Sequence, residues 1–101
     1  MKFDKLVRDR IPEIIAKDGR KARTHVAGKE EFEKRLGEKL KEEAIEFYVS
    51  GKEEELADLL EVIHAICKSK GITMEELEMI RAEKARERGS FENRIVLDGV
   101  D

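Results

Sequence analysis

Four carboxylates in the middle of the sequence have the spacing to bind a metal ion together. Glu43 and Glu46 are three residues apart, and so are Glu55 and Asp58. On a helix, side chains at this spacing lie on the same side, about one turn apart. Two such helices packed against each other across Gly51 would bring the four carboxylates to one point. A ligand set made only of anionic oxygens suits Mg²⁺ or Mn²⁺ rather than zinc.

The same acids occupy positions where a helix normally carries apolar residues. At about 100° per residue, Glu43 projects at the same angle as Leu36 and lies in the middle of an apolar stripe. Glu55 falls inside the apolar arc of the following segment, while Glu46 and Asp58 lie at the edges of the two arcs. A buried carboxylate is costly unless it is paired, protonated or bound to a metal.

Two other interpretations of these acids are open. The chain contains 18 Glu and 6 Asp, so pairs at this spacing also arise by chance, as at Glu30 with Glu33 and at Glu75 with Glu78. The acids could therefore only make salt bridges in a structural helical dimer. They could also form a metal-binding or regulatory module without turnover. The first of these leaves the position of Glu43 in an apolar stripe unexplained.

The elements that must position these acids are helices. Apolar periodicity predicts one helix over Lys29–Ser50, a second over Lys52–Lys70 and a third that runs to about Arg88. Gly51 and Gly71 separate them. Thr73 and Glu76 have the T-x-x-E spacing of a capping box, which starts the third helix.

The two ends of the chain are less regular. Asp9 could cap a short helix that has Pro12 in its first turn and Gly19 after its end. Residues 22–27 lack helical periodicity and could form a short strand that pairs with residues 94–97. The predicted fold class is therefore all-α, an antiparallel helical bundle with room for a short two-stranded β ribbon.

The third predicted helix carries cations on its apolar side. Arg81, Lys84 and Arg88 lie on the same side as Leu77 and Ile80. Their long stems could cover an apolar rim, or their charges could pair with nearby glutamates. The functional interpretation is a cationic edge that faces an anionic ligand. Acids that hold a metal on one wall and bases on another are suited to polyphosphate.

Composition limits the classes of protein that this chain can form. The chain has 101 residues, of which 45% are charged and 5% aromatic, so its core must be small and help from a second copy is plausible. A net charge of −3 gives no broad attraction to a nucleic-acid polymer or an anionic membrane. The lone Cys67 cannot form an internal disulfide, and no apolar signal segment is visible. We expect a single domain over 1–101 in the cytoplasm.

Taken together, these motifs resemble a known family. EEAIE at 42–46 followed by ELAD at 55–58 resembles the EExxE…ExxD signature of the MazG-like nucleotide pyrophosphohydrolases. KLVRDRIPEII at 5–15 and KARERGSF at 84–91 resemble a small single-domain branch, whose members are often labelled phosphoribosyl-ATP pyrophosphohydrolase-like. The resemblance spans nearly the whole chain, with Ser90 standing where a second glycine is expected.

The resemblance implies the all-α NTP pyrophosphatase fold, completed by dimerisation into a homodimer or homotetramer. It implies hydrolysis of a nucleotide substrate between the α and β phosphates with Mg²⁺, for which Mn²⁺ may substitute, giving a nucleoside monophosphate and pyrophosphate. Phosphoribosyl-ATP hydrolysis in histidine biosynthesis is the alternative within the family, because the same type of bond is broken.

The resemblance also assigns roles to particular residues. The metal ligands are the four acids at 43, 46, 55 and 58, which the face analysis also singles out. Glu42 lies behind these ligands or serves as the catalytic base that orients the attacking water. Lys84, Arg88 and Arg94 are expected to hold the phosphates.

Overall fold

The fold is built from helices. The structure is a computed structural model that describes residues 4–101, so residues 1–3 of the predicted domain lie outside the described range. Within that range the regular elements are α1 (Ile11–Lys17), α2 (Lys29–Ser50), α3 (Glu53–Lys70) and α4 (Met74–Arg88). The predicted all-α class is confirmed, and the three long helices agree with their predicted bounds to within one residue.

The hairpin of α2 and α3 is the structural centre of the chain. Gly51 adopts φ +68°, a left-handed conformation that favours glycine, and its N–H donates to the Phe47 carbonyl at 2.8 Å. Because the connection between the helices is this short, α2 and α3 pack side by side in opposite directions. Leu36 from α2 packs into the core with Val62 and Cys67 from α3, and all three are buried.

The start of α4 follows its predicted capping residues. The Glu76 N–H donates to Thr73 Oγ1 at 3.0 Å, and the Thr73 hydroxyl donates to the Glu76 carboxylate at 3.3 Å. Gly89, at φ +85°, ends the helix. On the predicted apolar face Leu77 is half-buried, but Ile80 is exposed, because α4 contacts only α3 among the described helices.

Two predictions about the chain ends are wrong. Residues 22–27 and 94–97 form no strand, and Ile95, Val96 and Leu97 are exposed. A two-stranded β ribbon is only marginally stable unless it packs against another surface, and the helices do not provide one. The residue before α1 is Arg10 rather than Asp9, and no side chain caps this helix.

The chain is extended for its size. It measures 59 × 31 × 25 Å, with a radius of gyration of 17.8 Å. A compact domain of this length has a radius of about 13 Å. Its accessible surface of 9564 Å² also exceeds the roughly 5,900 Å² expected for a folded monomer of this mass. No helix within residues 4–101 is long and apolar enough to cross a membrane.

Candidate metal centre

The hairpin brings the predicted acids together around Glu43. Glu42, Glu43 and Glu46 form one group, and Glu43, Glu55 and Asp58 form another. Within each group, one carboxylate oxygen from every residue lies within 4.8 Å of the others. The acidic centre, as we call these five residues, therefore contains all four predicted metal ligands and the predicted base.

Glu43 has the most unusual environment of the five acids. It is 6% exposed, which fits its predicted position in the apolar stripe of α2. Its Oε1 atom lies 3.5 Å from Lys39 Nζ, while its Oε2 atom is buried without a hydrogen-bond partner among the described residues. A buried, unpartnered carboxylate oxygen costs free energy until a proton or a cation reaches it.

The surroundings shift the pKa values of two adjacent glutamates in opposite directions. Burial raises the pKa of Glu43, and the nearby Glu46 and Asp58 carboxylates raise it further against the opposing charge of Lys39. Burial also acts to raise the pKa of Glu42, but Lys39 and Lys5 outweigh it and hold that pKa below its usual value. Glu42 is thus kept ionised, whereas Glu43 resists ionisation in the absence of a further cation.

The raised pKa of Glu43 predicts that Glu43→Gln stabilises the metal-free protein. Glu43 binds its proton more tightly in the folded chain, so its contribution to stability falls as the pH rises from its unfolded pKa through its raised folded pKa. Near neutral pH we expect the variant to gain on the order of 1 kcal/mol, or roughly 4–8 °C in Tm. Thermal melts in chelator from about pH 4 to about pH 8, a range that begins near the ordinary glutamate pKa, test this. A variant less stable than wild type at neutral pH would contradict it.

Within the part of the chain that the structure describes, three cations lie against the acidic centre. Lys39 Nζ is 3.4 Å from Glu42 as well as near Glu43, and Lys5 Nζ is 3.3 Å from Glu42. Arg8 Nη2 donates to Asp58 Oδ1 at 2.7 Å. None of these cations was predicted as a site residue. Lys39 could have been found from its four-residue spacing to Glu43, but no periodic signal connects Lys5 or Arg8 to α2 and α3.

The cations predicted to hold phosphate lie elsewhere. Lys84 and Arg88 are exposed on α4, and Arg94 is exposed beyond it. Among the described residues, no ion pair or hydrogen bond links their side chains to the acidic centre. Arg81, on the same face, is instead bound to Glu78 by hydrogen bonds of 2.7–3.0 Å. The structure thus brings the predicted acids together but leaves the predicted phosphate cations apart from them.

Comparisons with known proteins assign no family. No protein-family model matches the chain, and neither the curated proteins nor the solved structures include a significant match. The residues of the acidic centre and their sequence motifs are therefore the basis for inferring its chemistry.

Proposed function

We propose that the protein is a divalent-metal-dependent nucleotide pyrophosphohydrolase. It cleaves a nucleoside triphosphate between the α and β phosphates and releases a nucleoside monophosphate and pyrophosphate. The observation that carries this proposal is the buried Oε2 atom of Glu43, which has no hydrogen-bond partner among residues 4–101 and lies among four other carboxylates. The resemblance of the EEAIE and ELAD motifs to the MazG-like enzymes supplies the reaction.

The donor set fits a hard divalent cation. All the donors are carboxylate oxygens, which Mg²⁺ and Mn²⁺ prefer, and no thiol or imidazole belongs to the group. Glu43, Glu46, Glu55 and Asp58 would hold the ion, which would also satisfy the buried oxygen of Glu43. When bound, such an ion supplies positive charge that polarises phosphate oxygens and stabilises the charge on the leaving pyrophosphate.

Glu42 is the residue best suited to position the attacking water. Lys39 and Lys5 lie on its two carboxylate oxygens and keep it ionised. An ionised carboxylate with a lowered pKa is a weak base but a good hydrogen-bond acceptor. Its role is therefore to orient the water toward the α-phosphorus rather than to remove a proton completely.

The proposal includes a second copy of the chain. The accessible surface exceeds that of a typical folded monomer by roughly 3,700 Å². Leu56 and Leu60 on α3, and Met79 and Ile80 on α4, are large apolar side chains that this chain leaves exposed. Permanent dimers bury about 2,000–5,000 Å² in total, or roughly 1,000–2,500 Å² per chain, so association with a second copy would cover part of this excess. A second copy could also supply the α4 cations to the acidic centre.

Sedimentation should therefore detect a species of at least two chains at micromolar concentration. We expect Leu60→Glu to shift this equilibrium toward the 11.7 kDa monomer, because it replaces an exposed apolar side chain of α3 with a charge. Val26→Glu is the matched control, since Val26 is 98% exposed in a segment outside the helices. A well-folded wild-type monomer at this concentration would contradict the dimer.

The activity can be tested by a substrate screen. The purified protein is incubated with each nucleoside triphosphate, or with phosphoribosyl-ATP, in Mg²⁺ or in chelator, and both pyrophosphate and orthophosphate are measured. We expect pyrophosphate that depends on Mg²⁺. Metal binding without turnover of any of these nucleotides would favour a non-catalytic metal-binding dimer instead.

A further inference from the structure

The segment before α1 is held against the α2–α3 hairpin by hydrogen bonds. We call residues 4–8 the N-terminal strap. Arg35 on α2 donates from Nη1 to the Asp4 carbonyl at 2.8 Å and from Nη2 to the Asp4 carboxylate at 2.7 Å. The Arg35 side chain is only 21% exposed and also lies 3.4 Å from Glu31. A bidentate, half-buried guanidinium of this kind fixes the start of the strap on the hairpin.

From this anchor the strap places two cations beside acids of the acidic centre. Lys5 pairs with Glu42 on α2, and Arg8 pairs with Asp58 on α3. The Arg8 side chain remains 56% exposed, and Asp58 is its hydrogen-bond partner among the described residues. Since a guanidinium carries five N–H donors, Arg8 keeps donors for a second ligand while it touches Asp58.

The arrangement suits a phosphate better than a purely structural link. An exposed ion pair adds little to stability, so the Arg8–Asp58 pair alone gives the fold little reason to hold a guanidinium there. The planar guanidinium of arginine can donate to two phosphate oxygens at once. A metal ion held by the acids would bring the phosphate oxygens close to Arg8. Without metal and substrate, the same guanidinium neutralises Asp58.

We propose that Arg8, assisted by Lys5, binds the phosphate oxygens of the nucleotide at the acidic centre. This inference rests on the proposed function and assigns to the strap a role predicted for the cations of α4. When a metal ion is present without nucleotide, Arg8 competes with the ion for Asp58. When a polyphosphate is bound as well, Arg8 and the metal ion both bind its oxygens.

The two roles predict opposite effects of one substitution. Arg8→Gln should bind Mn²⁺ alone about fivefold more tightly, because a competing positive charge has been removed. With saturating Mg²⁺, the same variant should bind pyrophosphate at least about tenfold more weakly, because charge-assisted hydrogen bonds are lost. Calorimetric titration of the full chain measures both. Arg8→Lys should recover part of the pyrophosphate affinity, since it restores the charge without the fork.

Arg10→Gln is the matched control. Arg10 is two residues further along the chain and pairs with Glu13 at 3.3 Å on the exposed surface of α1. Both affinities of this variant should equal those of the wild type. If Arg8→Gln weakens Mn²⁺ and pyrophosphate binding together, Arg8 is only structural and the proposal is wrong. Unchanged pyrophosphate binding by Arg8→Gln would also overturn the proposed role of Arg8. Mn²⁺ binding by the same protein would still support the proposed metal centre. Failure of the wild type to bind Mn²⁺ would contradict both the role of Arg8 and the proposed metal centre.

Discussion

Glu43→Gln should lower kcat by at least ~100-fold, because it removes the buried oxygen charge at the centre of the proposed metal site. The amide keeps the size of the side chain, so the change tests charge rather than packing. Asp58→Asn should cause a loss of similar size. The double variant should lose much less than the product of the two single losses, because both residues act through the same ion. Steady-state kinetics with saturating Mg²⁺ measures all three variants.

Glu30→Gln is the control for this series. Glu30 is exposed near the start of α2 and has the same three-residue spacing to Glu33, but it lies outside the acidic centre. Its kcat should be close to that of the wild type. Full activity in Glu43→Gln would contradict the assignment of the metal centre.

Divalent metal should stabilise the wild-type fold strongly. An ion that binds the native state alone raises the free energy of unfolding by about 2.7 kcal/mol at a hundredfold excess over Kd. For a chain of this length that corresponds to a rise in Tm of roughly 11–22 °C. The gain arises because the ion offsets the repulsion among the acids and satisfies Glu43. Thermal melts with Mn²⁺ and with chelator measure it.

The Glu43→Gln variant makes this second prediction more specific. In chelator it should melt above the wild type, and with Mn²⁺ it should melt below it, so the order of the two proteins reverses. Loss of charge at a purely structural residue would not produce such a reversal. Equal melting temperatures of the wild type with and without metal, together with no binding in a titration, would refute the metal site.

The sequence contains enough information to predict the hairpin and its acids. Apolar periodicity is strong in α2 and α3, and Gly51 leaves room only for a tight turn, so the two acidic pairs must meet. The buried position of Glu43 follows from the same angular pattern. These features are local along the chain, and local spacing is what a sequence expresses most directly.

Contacts across long separations could not be predicted in this way. Lys5 and Arg8 reach acids 37 and 50 residues away from an irregular segment that has no periodicity. The angular pattern predicts an apolar face on α4, but angular position does not say how far a helix packs along its neighbour. The apolar run at 95–97 suggested a strand, although β propensity without a packing surface does not make a sheet.

The proposed reaction is the attack of water on the α-phosphorus of a nucleotide at the acidic centre. Turnover in water enriched in heavy oxygen, followed by mass spectrometry of the products, tests it directly. One heavy oxygen should appear in the nucleoside monophosphate and none in the pyrophosphate. Label in the pyrophosphate, or release of labelled orthophosphate, would place the attack on another phosphorus and contradict the proposed reaction.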